Sequence, residues 1–165
     1  MSRRPRRVGM FGGAFDPPHR AHVALARAAV KQLKLDVLYV IPTGQAWHKD
    51  RGLTPSERRF AMCRLAFSGV PRSLVDGREL RRPGPTYSVD TLRELQAEHV
   101  VAQLFLVMGE DQAASFSRWH DWQGIAALAQ LCVAARGPEG GGGMEALQAL
   151  PGVRLQPLTL PRMPE

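Results

Sequence analysis

An α/β fold built on a doubly wound parallel sheet is predicted by three features of the 165-residue sequence. Short β-branched or aromatic runs alternate with helix-length segments. The first run ends in a glycine pair and is followed by a stretch rich in Ala, Val and Leu. The order strand, helix, strand then requires a crossover, which makes the two strands parallel. In such sheets ligands bind beyond the carboxyl ends of the strands, so the residues after each strand are where chemistry is sought.

Residues 8–11 form the first apolar run, stopped at Gly12-Gly13, and residues 21–33 are too apolar for a fully exposed helix. Residues 37–41 read as a second buried strand ended by Pro42. Thr54-Pro55-Ser56-Glu57 predicts a helix start, with Thr54 as cap, Pro55 in the first turn and Glu57 completing a capping box; the helix runs to about Phe67. Leu74-Val75 is a short strand, 88–99 a helix, 104–108 a buried strand before Gly109, and 131–135 another strand. Residues 140–143 read as a glycine linker, 144–150 as a short helix and 153–155 as a last strand.

The 44% hydrophobic content furnishes one core, so a single domain over residues 1–165 is expected. Cys63 and Cys132 are far apart and sit among apolar residues, and read as buried free thiols. No apolar run spans a bilayer and the basic N-terminus lacks a secretory signal, so the cytoplasm is the expected location and no membrane partner is. A net charge of +7 favours an anionic ligand. Aromatics make up only 7% of the chain and no stacking pattern accompanies Arg3, Arg4, Arg6 and Arg7, which argues for a solvated tail and against a nucleic-acid partner.

Gly12 and Gly13 remove side chains where strand turns to helix, so backbone N–H groups can approach a phosphate at the positive helix end. The spacing is neither G-x-G-x-x-G nor a loop ending in G-K-S/T. His19 and His22, three residues apart, fall on one face of the first turn. Metal ligation lacks a third ligand nearby. Core packing is the plainer alternative, but imidazoles directly after Gly-Gly and Asp-Pro-Pro favour phosphate contact.

The segment from Gly12 to His22, G-G-x-F-D-P-x-H-x-x-H, resembles the signature of the nucleotidylyltransferase superfamily, with Ala21 in place of the usual glycine of H-x-G-H. Alanine is the better helix former, so the turn remains helical. Further segments resemble the bacterial nicotinate-nucleotide adenylyltransferases: Ile41-Pro42 followed by Trp47-His48-Lys49, Thr54-Pro55-Ser56-Glu57-Arg58 with Met62, and Thr86-Tyr87-Ser88-Val89-Asp90-Thr91-Leu92. Gly109-Glu110-Asp111 and Trp119 complete a match covering about residues 8–136.

The resemblance implies a Rossmann-like nucleotidylyltransferase fold and adenylyl transfer from ATP to nicotinate mononucleotide, with Mg²⁺ bound with ATP. It implies His19, His22 and Lys49 as catalytic residues, and Gly12, Gly13, Phe15, His19, His22, Gly109 and Asp111 on ATP. It places Asp16, His48, Lys49, Thr86, Tyr87, Ser88, Trp119, His120 and Arg136 on the mononucleotide.

Other readings stand beside these. Lys49 could be a solvated loop charge, Trp119 could pack with Trp122 on one helix face, Thr86 or Ser88 could cap the helix that follows, and Asp111 could cap its own. Pantetheine-phosphate adenylyltransferase, a cytidylyltransferase and a nucleotide-binding module without turnover are the alternative functions. The family also carries an I-S-[ST]-[ST]-x-I-R element against the ATP phosphates soon after a segment like 160–164. The sequence stops at Glu165, so the domain is expected to lack that C-terminal element.

Overall fold

In the computed structural model, which describes residues 5–44, 53–135 and 143–160, six strands form one sheet of order β3-β2-β1-β4-β5-β6. Every neighbouring pair is parallel. The strands are β1 (Arg7–Gly13), β2 (Val37–Pro42), β3 (Ser73–Val75), β4 (Gln103–Met108), β5 (Ala129–Ala135) and β6 (Leu155–Thr159). Between them lie α1 (Arg20–Gln32), α2 (Ser56–Phe67), α3 (Arg78–Arg81), α4 (Ser88–Glu98), α5 (Glu110–Ala114), a 3-10 turn at Phe116–Arg118, α6 (Trp122–Leu128) and α7 (Gly143–Gln148).

Strand alternation divides the core between the two faces. Phe11, Phe105 and Val107 join Leu25, Ala29, Cys63 and Phe67 on the face of α1 and α2. Met10, Leu104, Leu106 and Met108 join Val89, Leu92, Phe116 and Ile125 on the other. The backbone packs closely at Gly9, since a Cβ there would lie 2.6 Å from Leu35 Cδ1 and 2.9 Å from Leu38 Cδ1, and those side-chain ends would have to shift to admit it. Cys63 and Cys132 are free and buried, and burial pushes both thiols up to about 12, far from the thiolate form that reacts.

Several expectations are corrected. Thr54 does not cap α2: Pro55 holds the N-cap position without a side-chain bond, while the Thr54 N–H donates to Asp16 Oδ2 at 2.9 Å. Neither Thr86 nor Ser88 caps α4, because Tyr87 is its N-cap and Ser88 is already helical. Gly109, not Asp111, is the N-cap of α5. Trp119 and Trp122 share no helix: Trp119 follows the 3-10 turn, Trp122 opens α6, and Asp121 between them is left-handed at φ 50°. Strand β6 lies later than residues 153–155 and contains Pro157, which the sheet admits because β6 is an edge. Gly143 belongs to α7, while residues 140–142 lie outside the described residues.

The sheet order reverses between β1 and β4: the chain leaves β1 for β2 on one side and β4 for β5 on the other. The loop after β1 and helix α5 after β4 therefore part company at this point and open a crevice. Among the described residues no helix is long and apolar enough to cross a membrane.

Candidate active site

Two cavities open at this switch point. The first, about 420 Å³, is lined by Thr86, Tyr87, Ser88, Trp119 and His120, five of the residues that the resemblance assigns to the mononucleotide. The second, about 590 Å³, is lined by the loop after β1 together with His19, His22 and Leu53. Gly12, Gly13, Ala14 and Gln112 border both. The cavities are neighbours sharing one wall, and that wall is the glycine pair at the end of β1.

The two histidines meet as their spacing predicted. Their rings stack at 3.8 Å between centroids, and His22 Nδ1 accepts the His19 backbone N–H at 3.0 Å. An accepting Nδ1 carries no proton, so a neutral His22 bears its proton on Nε2. Burial, reinforced by the neighbouring His19, pushes the His22 pKa down to about 4. At neutral pH His22 is therefore a neutral donor through Nε2–H, needing no proton from solvent to bond an anionic oxygen.

Beneath the loop, Phe15 is 3% exposed and meets Phe11, His22 and Phe67 edge-on at 5.3, 5.0 and 5.6 Å. Its φ of 47° is a left-handed conformation held by this packing. Its ring is thus chiefly the floor on which His22 rests. Asp16 is exposed and lines the second cavity beside the histidines, whereas Thr86, Tyr87, Ser88, Trp119 and His120 line the first. The Thr54 hydrogen bonds, helped by the charge of Arg59, hold its carboxyl below the usual carboxylate range.

In the first cavity Trp119 is half-buried, its ring 5.2 Å from Phe116 and its Nε1–H on Ser115 Oγ at 3.4 Å. Packing and ligand contact are thus compatible for this residue. The Tyr87 and His120 rings stack at 4.1 Å and form one wall. Gly109 and Asp111 line neither cavity; the Gly109 N–H is taken by Gln112 Oε1 at 3.2 Å, and Asp111 is exposed in the first turn of α5. His48, Lys49 and Arg136, like Trp47, lie outside the described residues.

Three site residues escaped sequence reasoning. Gln112 accepts from the Gly109 N–H and donates through Nε2 to the Gly12 carbonyl at 3.3 Å, joining α5 to β1 across the crevice. Its position three residues after the N-cap was the available signal. Glu79, 4% exposed, borders the first cavity and accepts from Thr91 Oγ1 at 2.7 Å. Burial pushes its carboxyl up, while the hydroxyls of Thr91, Thr86 and Thr43 and the charge of Arg82 oppose the rise. Arg59 is 1% exposed, and its guanidinium bonds the backbone carbonyls of Thr54, Ala14, Thr43 and Gly44. Its signal was the stripe Arg59, Cys63, Phe67, which puts an arginine on the buried face of α2.

The family model described as cytidylyltransferase-like matches residues 10–161. The probable nicotinate-nucleotide adenylyltransferase of Albidiferax ferrireducens is 56% identical over 138 residues, covering 84% of this chain and 70% of its own length. That of Methylibium petroleiphilum is 44% identical over 131 residues, covering 79% and 62%. The chain spans between 61 and 70% of the length of the curated relatives it matches. The fold is also that of the Plasmodium falciparum nicotinic acid mononucleotide adenylyltransferase complexed with NaAD, with a TM-score of 0.77 at 16% identity over 96% of this chain and 77% of that one. Sequence match and fold agree with the loop, the histidine pair and the divided crevice: the chain belongs to the cytidylyltransferase-like family and, within it, to the nicotinate-nucleotide adenylyltransferases.

Proposed function

We propose that this chain forms the site that transfers the adenylyl group of ATP to nicotinate mononucleotide, giving deamido-NAD and pyrophosphate. The observation that carries the reading is the pair of cavities divided by Gly12 and Gly13, one lined by aromatic and hydroxyl groups and the other by the histidine loop. A pyridine nucleotide suits the first and a polyphosphate the second, which brings the two reacting phosphates together at the shared wall.

A phosphate oxygen of the mononucleotide attacks the α-phosphorus of ATP in line. The new P–O bond forms as the bond to the bridging oxygen of the β-phosphate breaks, and pyrophosphate departs with that electron pair. A phosphate monoester is largely ionised near neutral pH, so no protein nucleophile or strong base is needed. Catalysis is positioning and stabilisation of charge on the phosphate oxygens. His22 donates Nε2–H to the α-phosphate and His19 assists, while Lys49 offsets negative charge.

For the mononucleotide, Trp119 supplies a ring to stack on the pyridine. The N-terminus of α4, an 11-residue helix whose Ser88 borders the first cavity, offers N–H groups and a positive dipole end to the nicotinate carboxylate. That supports the acid over the amide. Among the described residues no group of three or more His, Cys, Asp or Glu could hold a metal ion. Mg²⁺ bound with ATP would offset negative charge on the phosphates. A cytoplasmic location belongs to the same proposal.

The test is pyrophosphate release with ATP, Mg²⁺ and, in turn, nicotinate mononucleotide, nicotinamide mononucleotide and phosphopantetheine. Nicotinate mononucleotide is expected to be the preferred acceptor. His22→Ala is expected to lower kcat at least ~100-fold with the fold intact, as loss of a transition-state donor should. Faster release with phosphopantetheine, or unchanged turnover in His22→Ala, would overturn the reading.

A further inference from the structure

Among the described residues Arg59 is the buried arginine beside the crevice, and its surroundings differ from those of Arg78 and Arg82. Arg78 and Arg82, both partly buried, pair with the carboxylates of Asp76, Glu94 and Glu98. The Arg59 guanidinium instead bonds carbonyl oxygens from three separate stretches of chain: Ala14 at 3.2 Å in the loop after β1, Thr43 at 2.7 Å and Gly44 at 3.5 Å after β2, and Thr54 at 2.8 Å before α2. Asp16 attracts it through space, but that carboxylate is exposed and accepts the Thr54 N–H. A guanidinium remains charged at neutral pH even when buried.

Two consequences follow from peptide geometry. In a planar trans peptide the carbonyl and the next N–H point in opposite directions. Turning the Ala14 carbonyl into Arg59 therefore turns the Phe15 N–H away from it, in the stretch of loop that borders the second cavity. Ala14 also borders the first cavity, as does Thr43, so one side chain fixes the loop between the cavities and the floor of the mononucleotide side. A buried positive charge behind neutral carbonyls also acts through a medium that screens it less than water does.

We propose that Arg59 is a positioning residue for polyphosphate binding: its forked guanidinium sets the loop after β1 against the start of α2 and holds a fixed positive charge behind it. The proposal rests on the functional reading only in placing polyphosphate in the second cavity. Its test therefore uses inorganic pyrophosphate and requires no turnover.

Calorimetry of pyrophosphate binding at low and high salt should compare the wild-type chain with Arg59→Met and Arg59→Lys, circular dichroism verifying the fold of each. Arg59→Met is expected to bind at least ~10-fold more weakly with a shallower salt dependence, since charge and fork are both lost. Arg59→Lys should keep the salt dependence but not the affinity, remaining at least ~3-fold weaker, because an ammonium is a point charge without the planar fork. If Arg59→Met does not fold, Arg59→Lys decides the matter. Wild-type affinity in any folded variant would overturn the proposal, whereas no pyrophosphate binding by the wild-type chain would instead remove the polyphosphate reading of the second cavity.

Discussion

His22 shows how one side chain joins folding to chemistry. Its Nδ1 is committed to the His19 N–H and its ring rests on Phe15. The folded state thus keeps it neutral, with a pKa pushed down to about 4 chiefly by burial. In the unfolded chain the same imidazole takes up a proton near its ordinary value of about 6.5. Between those values the unfolded chain binds more protons, so stability is fully present above about pH 6.5 and falls as the pH drops towards 4. The full shift corresponds to about 3 kcal/mol, and solvent reaching the half-buried ring reduces the expected effect to roughly 1–2 kcal/mol. Urea unfolding at pH 7 and pH 4.5 should therefore show the wild type losing about that much more stability than His22→Asn, which has no proton to gain. Identical losses would mean that His22 titrates normally. Bound polyphosphate should act in the opposite sense, raising the His22 pKa and flattening the acid loss.

The units that a sequence reader can recognise are those long enough to show a period. Strands β1, β2 and β4 and helices α1, α2 and α4 fall within a residue or two of expectation because each pairs a buried face with a turn signal. The short helices α3, α5 and α6 and the 3-10 turn have no sequence signal that sets their bounds, beyond a helix expected at Asp111 and one through Trp119 and Trp122. At three to seven residues each they complete barely two turns, and tertiary packing rather than propensity holds them. The site divides along the same line. Its loop and its Thr86-Tyr87-Ser88 segment were legible as motifs, whereas the spacing of Gln112 and Arg59 shows only a position after an N-cap and a buried helix face, and their partners, like the Thr91 hydroxyl on Glu79, are set by tertiary structure. Trp119 lies between these cases, because the 3-10 turn and the left-handed Asp121 aim it at the cavity while Phe116 supports one side of its ring. Trp119→Ala should therefore cost roughly 1–3 kcal/mol in mononucleotide affinity, by analogy with base-on-aromatic stacking. ATP affinity should remain within about twofold and Trp119→Phe should recover most of the loss. Calorimetry with each ligand separately checks this, and equal losses for both would leave Trp119 as packing alone.

The strand order places both cavities at the one point where the connections part, so a ligand occupying both must cross the glycine wall at the end of β1. A Cβ at Gly13 would lie 3.3 Å from Phe15 Cζ, so the bare backbone there lets the Phe15 ring pack beneath the loop. On the proposed function the product is a dinucleotide whose halves match the two cavities, and it gains both sets of contacts while losing translational freedom once. Competition experiments should accordingly show deamido-NAD displacing both nicotinate mononucleotide and ATP, while a non-hydrolysable ATP analogue and the mononucleotide bind together. Thermal unfolding supplies an independent measure. A ligand present at ~100 times its Kd stabilises the fold by about 2.7 kcal/mol. For a domain of this size each kcal/mol raises Tm by roughly 2–4 °C. At equal concentration the dinucleotide should therefore give the largest shift of the three, and the two substrates together should approach the sum of their separate shifts. Displacement of only one substrate by the dinucleotide would show that the cavities are not one continuous track, and the in-line encounter at Gly12 and Gly13 would then lose its structural basis.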